Sequence, residues 1–204
     1  MKKELNLKEK KYWESIYKDY KFKPLRKEDV IYKWVYNFFI NYEYKKSKSC
    51  FEVGVFPGTY LSILGDLGLQ LNGIDQVDLV ETELPKWFKE EKYLVGDFYQ
   101  GDFLNWKSKN KYDIVTSFGF IEHFKNFDEI IELQCNLVKK GGHILIETPN
   151  FKGFVQRWLR YFLDKKNLDR HYIPSMNIDK WEIILKQNNF EIIEKKYLGN
   201  FSIW

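Results

Sequence analysis

Short apolar runs alternate with helical patterns along most of this 204-residue chain, and that alternation limits the fold more than any other feature. The runs lie at 50–56, 71–75, 92–96, 112–118, 143–148 and 190–197. Between them, residues 58–67, 83–90, 127–139 and 178–188 repeat apolar side chains at helical spacing. Strands joined through helices run parallel, and a parallel sheet has to be covered on both faces. The expected fold is therefore α/β: a doubly wound, mostly parallel sheet in a single domain.

Two helices precede the first strand. Residues 8–20 bring Tyr12, Trp13, Ile16, Tyr17 and Tyr20 to one face, and Pro24 then interrupts. A second helix over 28–43 repeats Val30, Ile31, Trp34, Val35, Phe38 and Phe39. The domain 1–204 then divides into a helical cap (1–48), a ligand-binding core (49–150), an inserted segment (151–177) and a last helix and strand (178–204). The insert is aromatic, contains Arg and reads as helical, where a plain connection could be much shorter. It is the natural place for a helical substrate lid between strands five and six.

Composition excludes several classes. Hydrophobic residues make up 44% and aromatics 19%, well outside the disordered range. No apolar run approaches the roughly 20 residues a membrane helix needs, so no membrane insertion is expected. The start, "MKKELNLKEKKYW", has no apolar stretch and does not resemble a signal peptide. Cys50 and Cys135 form neither a disulfide framework nor a metal spacing, which fits a reducing cytoplasm. Three scattered histidines give no zinc pattern, and no metal is expected. The net charge of +4 comes from lysines spread among Glu and Asp in a chain without alanine. That bias matches AT-rich coding and argues against a nucleic-acid surface.

The stretch "SCFEVGVFPGTYLSILG", from Ser49 to Gly65, runs from strand through a glycine-bounded turn into a helical pattern. Phosphate-binding turns present backbone N–H groups to the anion, and Pro57 has none to offer. No Lys follows Gly58, as a P-loop would require. What remains is a close backbone approach at Gly54 and Gly58, which suits a nucleoside without phosphates. Asp75 ends the second apolar run 21 residues after Gly54. The ribose-binding acid of dinucleotide folds stands about 20 residues after its glycine turn, and a carboxylate there can accept both ribose hydroxyls. Alone, Asp75 could equally be a strand-end acid capping a turn.

In order, "FEVGVFPGTYL", "GIDQ", "GDFLNW", "YDIVTSFGFIEHF" and "LVKKGGHILIETPN" resemble the class I S-adenosylmethionine-dependent methyltransferases. The resemblance covers residues 49–150 and continues more weakly to 199. The form E-x-G-x-x-P-G looks most like bacterial methyltransferases encoded with capsule and O-antigen genes. It implies a Rossmann-like fold with S-adenosylmethionine as cofactor and S-adenosylhomocysteine as product. It further implies that Glu52 orients the methionine end, and that the turn residues Gly54, Val55, Phe56 and Gly58 lie against the cofactor. Phe56 stands where the family usually has a middle glycine. Asp75 would hold the ribose with Gln76 nearby. Asp102 would take the adenine amine and the Phe103 backbone a ring nitrogen, with Asp97 competing for the acid's role. Ser117, Phe118 and Gly119 would line the cofactor, while Asp113 reads as structural.

His123 is the candidate catalytic base, since an acceptor hydroxyl must lose its proton and an imidazole can take it. His171, Gln156, Arg160 and Asn150 are candidate acceptor contacts from the lid side, and Trp13 and Tyr17 from the N-terminal helix. His143 reads as structural. Sheets of this family usually end in a seventh, antiparallel strand, and only "NFSIW" follows strand six here. The chain is thus expected to stop short of that strand, leaving an aromatic edge a second copy could cover as a homo-oligomer. The expected activity is methylation of a small-molecule acceptor: a sugar, sugar nucleotide or phosphorylated precursor for capsule or lipopolysaccharide. Methylation of RNA or protein, a cofactor-binding scaffold without turnover, and last a dinucleotide oxidoreductase stand as alternatives.

Overall fold

The computed structural model describes residues 10–41, 48–150 and 171–198. Its strands are β1 (Ser49–Val53), β2 (Gln70–Asp75), β3 (Leu94–Gln100), β4 (Tyr112–Phe118) and β5 (Val138–Glu147). All pair in parallel, in the order β3-β2-β1-β4-β5. The helices are α1 (Lys10–Tyr17), α2 (Val30–Ile40), α3 (Leu61–Asp66), α4 (Glu83–Glu90), α5 (Phe127–Asn136) and α6 (Ile178–Gln187). Asp29 caps α2 by accepting the Ile31 N–H at 2.8 Å, and Asn177 accepts from Asp179 at the start of α6.

Successive strand residues point to opposite faces, so each strand feeds two cores. Cys50, Leu71 and Ile114 pack with Val35, Phe39, Leu61, Leu84 and Phe88 of α2, α3 and α4. Phe51, Val53 and Val115 pack with Ile130, Ile131, Trp181 and Ile184 of α5 and α6. This is the doubly wound, Rossmann-like α/β fold. Phe51 is fully buried, with its ring 4.5 Å from Tyr112 and 5.2 Å from Trp106. Phe51→Ala is expected to cost about 3–5 kcal/mol. Urea unfolding should show the midpoint falling while the denaturant slope stays constant.

α1, α2 and α3 are each shorter than their helical patterns, and the later elements differ from the sequence reading more instructively. β1 ends at Val53 rather than 56, because Gly54 takes φ +74° and turns the chain out of the sheet. β3 lies at 94–100 rather than 92–96: buried Asn72 of β2 accepts the Asp97 N–H at 2.8 Å, beside a register shift. α5 stops at Asn136, and β5 begins at Val138, continuing through an irregularity around Gly141 at φ +74°. The basic pair Lys139-Lys140 therefore belongs to strand, not helix.

The sixth strand expected at 190–197 does not form, since residues 190–198 carry no strand. Their side chains turn to helices instead: Lys195 bridges Asp179 and Glu182 of α6, and Glu194 accepts the Trp34 indole N–H at 3.1 Å. Most of the expected lid, with Gln156 and Arg160, and the end segment 199–204 lie outside the described residues. No helix among the described residues is long and apolar enough to cross a membrane.

Candidate active site

Neighbouring β1 and β4 bracket the point where strand order reverses. Open α/β sheets bind ligands there, at the carboxyl ends of the strands. A cavity of about 290 Å³ occupies that place. Its walls come from the β1 turn, the ends of β2 and β4, the residues after β3, and α1.

The turn after β1 is closed by its own hydrogen bonds. The Gly54 and Val55 N–H groups both donate to the Ile74 carbonyl, at 2.9 and 3.1 Å. Phe56 N–H donates to Asp75 Oδ2 at 3.0 Å, and Gly58 N–H to the Val55 carbonyl at 2.6 Å. Pro57 has no N–H. From Gly54 to Gly58 each backbone donor is thus absent or engaged, which supports the phosphate-free reading. The two glycines serve different ends. A Cβ on Gly54 would run into the Phe120 ring, whereas one on Gly58 would meet Leu84 and Phe88 at 2.5 and 2.7 Å. Gly54 keeps the cavity wall open; Gly58 lets α4 pack.

Two acids face the cavity. Glu52 is buried, and its Oε2 has no hydrogen-bond partner. Burial, reinforced by Asp75, pushes its carboxyl well above the usual range. Asp75 also accepts the Val77 N–H at 3.1 Å on Oδ1. Burial raises it to about 6 against the pull of its backbone donors. Asp75 thus holds a proton between about pH 4 and 6 that the unfolded chain has lost. Its contribution to stability therefore falls as pH rises through that window, and Asp75→Asn should flatten the fall in chemical denaturation followed from pH 4 to 7.

A buried carboxylate oxygen without a donor, beside a second acid, asks for hydroxyl or ammonium donors from a ligand. Apolar groups from Ile74, Phe103 and Phe120 complete that end.

Most residues singled out from the sequence converge here. Glu52, Gly54, Val55, Phe56, Gly58, Asp75, Gln76, Phe103, Phe118, Gly119, His123, Trp13, Tyr17 and His171 all line the cavity. Asp102, Ser117 and Asn150 do not. Asp102 builds the turn that presents Gly101 and Phe103: its carboxylate accepts from Leu104 N–H and the Asn105 amide, and its carbonyl accepts from the Asn105 and Trp106 N–H groups. Ser117 is buried and donates to Gln134 of α5 at 3.2 Å. Asn150 is exposed. Asp97 is exposed on β3, and Asp113 ties the start of β1 to Lys139. His143 packs against Phe38 and Phe39, away from the cavity.

Sequence reasoning missed several walls. Tyr60 stacks on Phe118 at 4.8 Å, and Thr59 exchanges a hydrogen bond with the Tyr20 hydroxyl at 2.7 Å. Nothing in the local sequence marks these two. Glu122 is different, because it adjoins His123 and its type alone was a signal. The 3-10 helix Ile121–His123 buries both side chains at the cavity edge, with Glu122 Oε1 3.9 Å from His123 Nε2. The ring centroids of Trp13 of α1 and His123 lie 4.8 Å apart in an edge-to-face contact, and those of Tyr17 and Phe56 lie 5.0 Å apart.

Fold and cavity together define a Rossmann-like α/β domain with its cavity at the switch point of the sheet. The family model for the methyltransferase domain matches residues 30–195, and the chain belongs to that family. Over 170 residues it is 26% identical to the ubiquinone biosynthesis O-methyltransferase of Pelagibacter ubique, covering 78% of this chain and 67% of that one. Among solved structures, it is similar to magnesium protoporphyrin IX methyltransferase from Synechocystis PCC 6803 with bound S-adenosylhomocysteine. The TM-score is 0.64 at 16% identity, covering 94% of this chain and 88% of that one. A methyltransferase from Bacillus halodurans gives a TM-score of 0.61 at 16% identity, over 78% and 70%.

Proposed function

We propose that the chain transfers a methyl group from S-adenosylmethionine to a small-molecule acceptor. The observation that carries this is the pairing of Glu52, whose Oε2 lacks a donor, with Asp75 in a cavity where the N–H groups from Gly54 to Gly58 are absent or engaged. Bound there, the cofactor would supply an electrophilic methyl carbon on a sulfonium centre. Asp75 would accept from the ribose hydroxyls, Glu52 would meet the methionine end, and Phe103 would cover the base. Asp102 supports that end by holding its turn.

The chain's own work is mainly alignment and exclusion of water. Trp13 and Tyr17 close the cavity from α1 and keep solvent from the reacting centre. Glu122, His123 and His171 mark the acceptor end, where a hydroxyl has to give up its proton. We further read the acceptor as a sugar, sugar nucleotide or phosphorylated precursor of capsule or lipopolysaccharide, on the form of the E-x-G-x-x-P-G turn. The relatives above carry the names of other small-molecule methyltransferases.

Calorimetry should find one S-adenosylhomocysteine per chain and no uptake of NAD; the reverse would overturn the reading. Affinity should fall roughly tenfold per unit as pH drops below about 6, because ionised Asp75 is the form that accepts ribose. A radiolabelled methyl donor offered with sugar nucleotides and with phenolic acceptors would then identify the substrate class. Binding without transfer to any acceptor would point to a scaffold.

A further inference from the structure

Histidines 123 and 171 lie 48 residues apart in the chain, yet the fold sets their rings 5.0 Å apart. Glu122 joins them, so that one ligand atom from each of the three residues lies within 4.8 Å of the others. All three line the cavity.

The arrangement is built from outside. Tyr172 N–H donates to the Glu122 carbonyl at 2.6 Å, fastening the chain beside His171 to the 3-10 helix that carries Glu122 and His123. Ser175 continues the clamp, donating to the Tyr172 carbonyl through N–H and hydroxyl at 2.9 and 2.6 Å. The Trp181 indole of α6 in turn donates to the Ser175 carbonyl. On the other side, the Trp13 ring packs against the His123 imidazole in an edge-to-face contact.

We propose that Glu122, His123 and His171 bind one divalent transition-metal ion of the zinc class, whose open coordination positions face the cavity and take an oxygen of the acceptor. Two imidazoles and one carboxylate suit borderline ions such as Zn²⁺ or Co²⁺, where a cage of oxygens alone would suit Mg²⁺ or Ca²⁺. Three protein ligands with an open side is the pattern of catalytic rather than structural sites. Ligands about 2.1 Å from a tetrahedral ion lie about 3.4 Å apart, so side-chain rotation has to close the group by about 1.4 Å.

The role of the ion rests on the methyltransferase reading; its binding does not. Coordination acidifies the acceptor hydroxyl, and the proton leaves to water. An oxygen lone pair then forms the O–C bond to the methyl carbon as the S–C bond breaks, and that electron pair stays on sulfur. His123 thereby serves the acceptor through the ion.

The test uses the full chain freed of metal with a chelator. Zn²⁺ calorimetry should show one equivalent binding at about micromolar affinity or better, and Co²⁺ should give visible d–d bands. Loss of second-shell partners costs 10–100-fold in metal affinity, so His171→Ala and Glu122→Gln should each weaken Zn²⁺ by about 100-fold or more. Both variants should keep S-adenosylhomocysteine affinity, which shows that they fold. His143→Ala, remote from the cavity, should bind Zn²⁺ as the parent does. Absence of saturable Zn²⁺ binding, or a His171→Ala protein that binds as tightly as the parent, would overturn the site. Turnover that survives the chelator would overturn the catalytic role. Zn²⁺ binding in a chain that ignores S-adenosylhomocysteine would sink the cofactor reading while leaving the metal site standing.

Discussion

Asp75→Ala is expected to abolish measurable binding of S-adenosylhomocysteine. The side chain has two duties at once. One is to the ligand: hydrogen bonds to a charged acceptor are worth about 1.5–3 kcal/mol each, so losing two ribose contacts costs roughly 100-fold or more. The other is to the turn, whose Phe56 and Val77 N–H groups both donate to this carboxylate. Alanine leaves both donors without their acceptor and frees the turn that walls the cavity. Asp75→Asn separates the duties. Its amide oxygen can keep one backbone bond while the bidentate acceptance of a diol is lost, so its affinity should fall between parent and Ala. Calorimetry at pH 7.5 distinguishes the cases, and parent-like affinity in Asp75→Ala would refute the ribose assignment.

The second large effect is expected at the other end of the cavity. His123→Ala should lower kcat by about 100- to 10,000-fold, the range for losing the group that deprotonates a reacting oxygen, whether the imidazole takes the proton itself or holds an ion that acidifies the hydroxyl. Cofactor affinity should change by no more than about threefold, since Glu52, Asp75 and the β1 turn are untouched. Equal losses in kcat and affinity would instead make His123 part of the cofactor's own contacts. The Trp13 edge against the imidazole adds a structural check: removing the ring should alter tryptophan fluorescence without unfolding the chain.

Much of the architecture was legible because its signals are local and periodic. β4 is legible at 112–118, where it lies, since Tyr112, Ile114, Val115, Thr116 and Phe118 crowd β-branched and aromatic residues into one short run. α4 at 83–90 was equally clear, with Leu84, Trp87 and Phe88 recurring on one face. The last segment was misread for a reason of the same kind. "FEIIEKKYLG" has strand-like composition, but its charged side chains find partners on α6 and α2, and no backbone ladder forms. Composition states a propensity; the partner decides whether it is used.

The site divides similarly. The glycine turn, Asp75 and Glu52 were visible because strand ends in a parallel sheet all emerge at one edge, so their order in the chain maps onto one cavity. Asp102 shows the limit of that mapping: its motif was in place, yet its oxygens are engaged by Leu104 and Asn105, and the cavity receives Gly101 and Phe103 instead.

The sequence by itself determined the α/β winding, the phosphate-free turn and the acids at its edge, because each depends on short-range periodicity or on a residue's own chemistry, as with the missing N–H of Pro57. Only the tertiary structure decided which distant side chains meet. Counted along the chain, three separate histidines gave no metal pattern. A hydrogen bond from Tyr172 to the Glu122 carbonyl draws two of them together beside a carboxylate, and a contact across 48 residues of chain leaves no trace in local spacing.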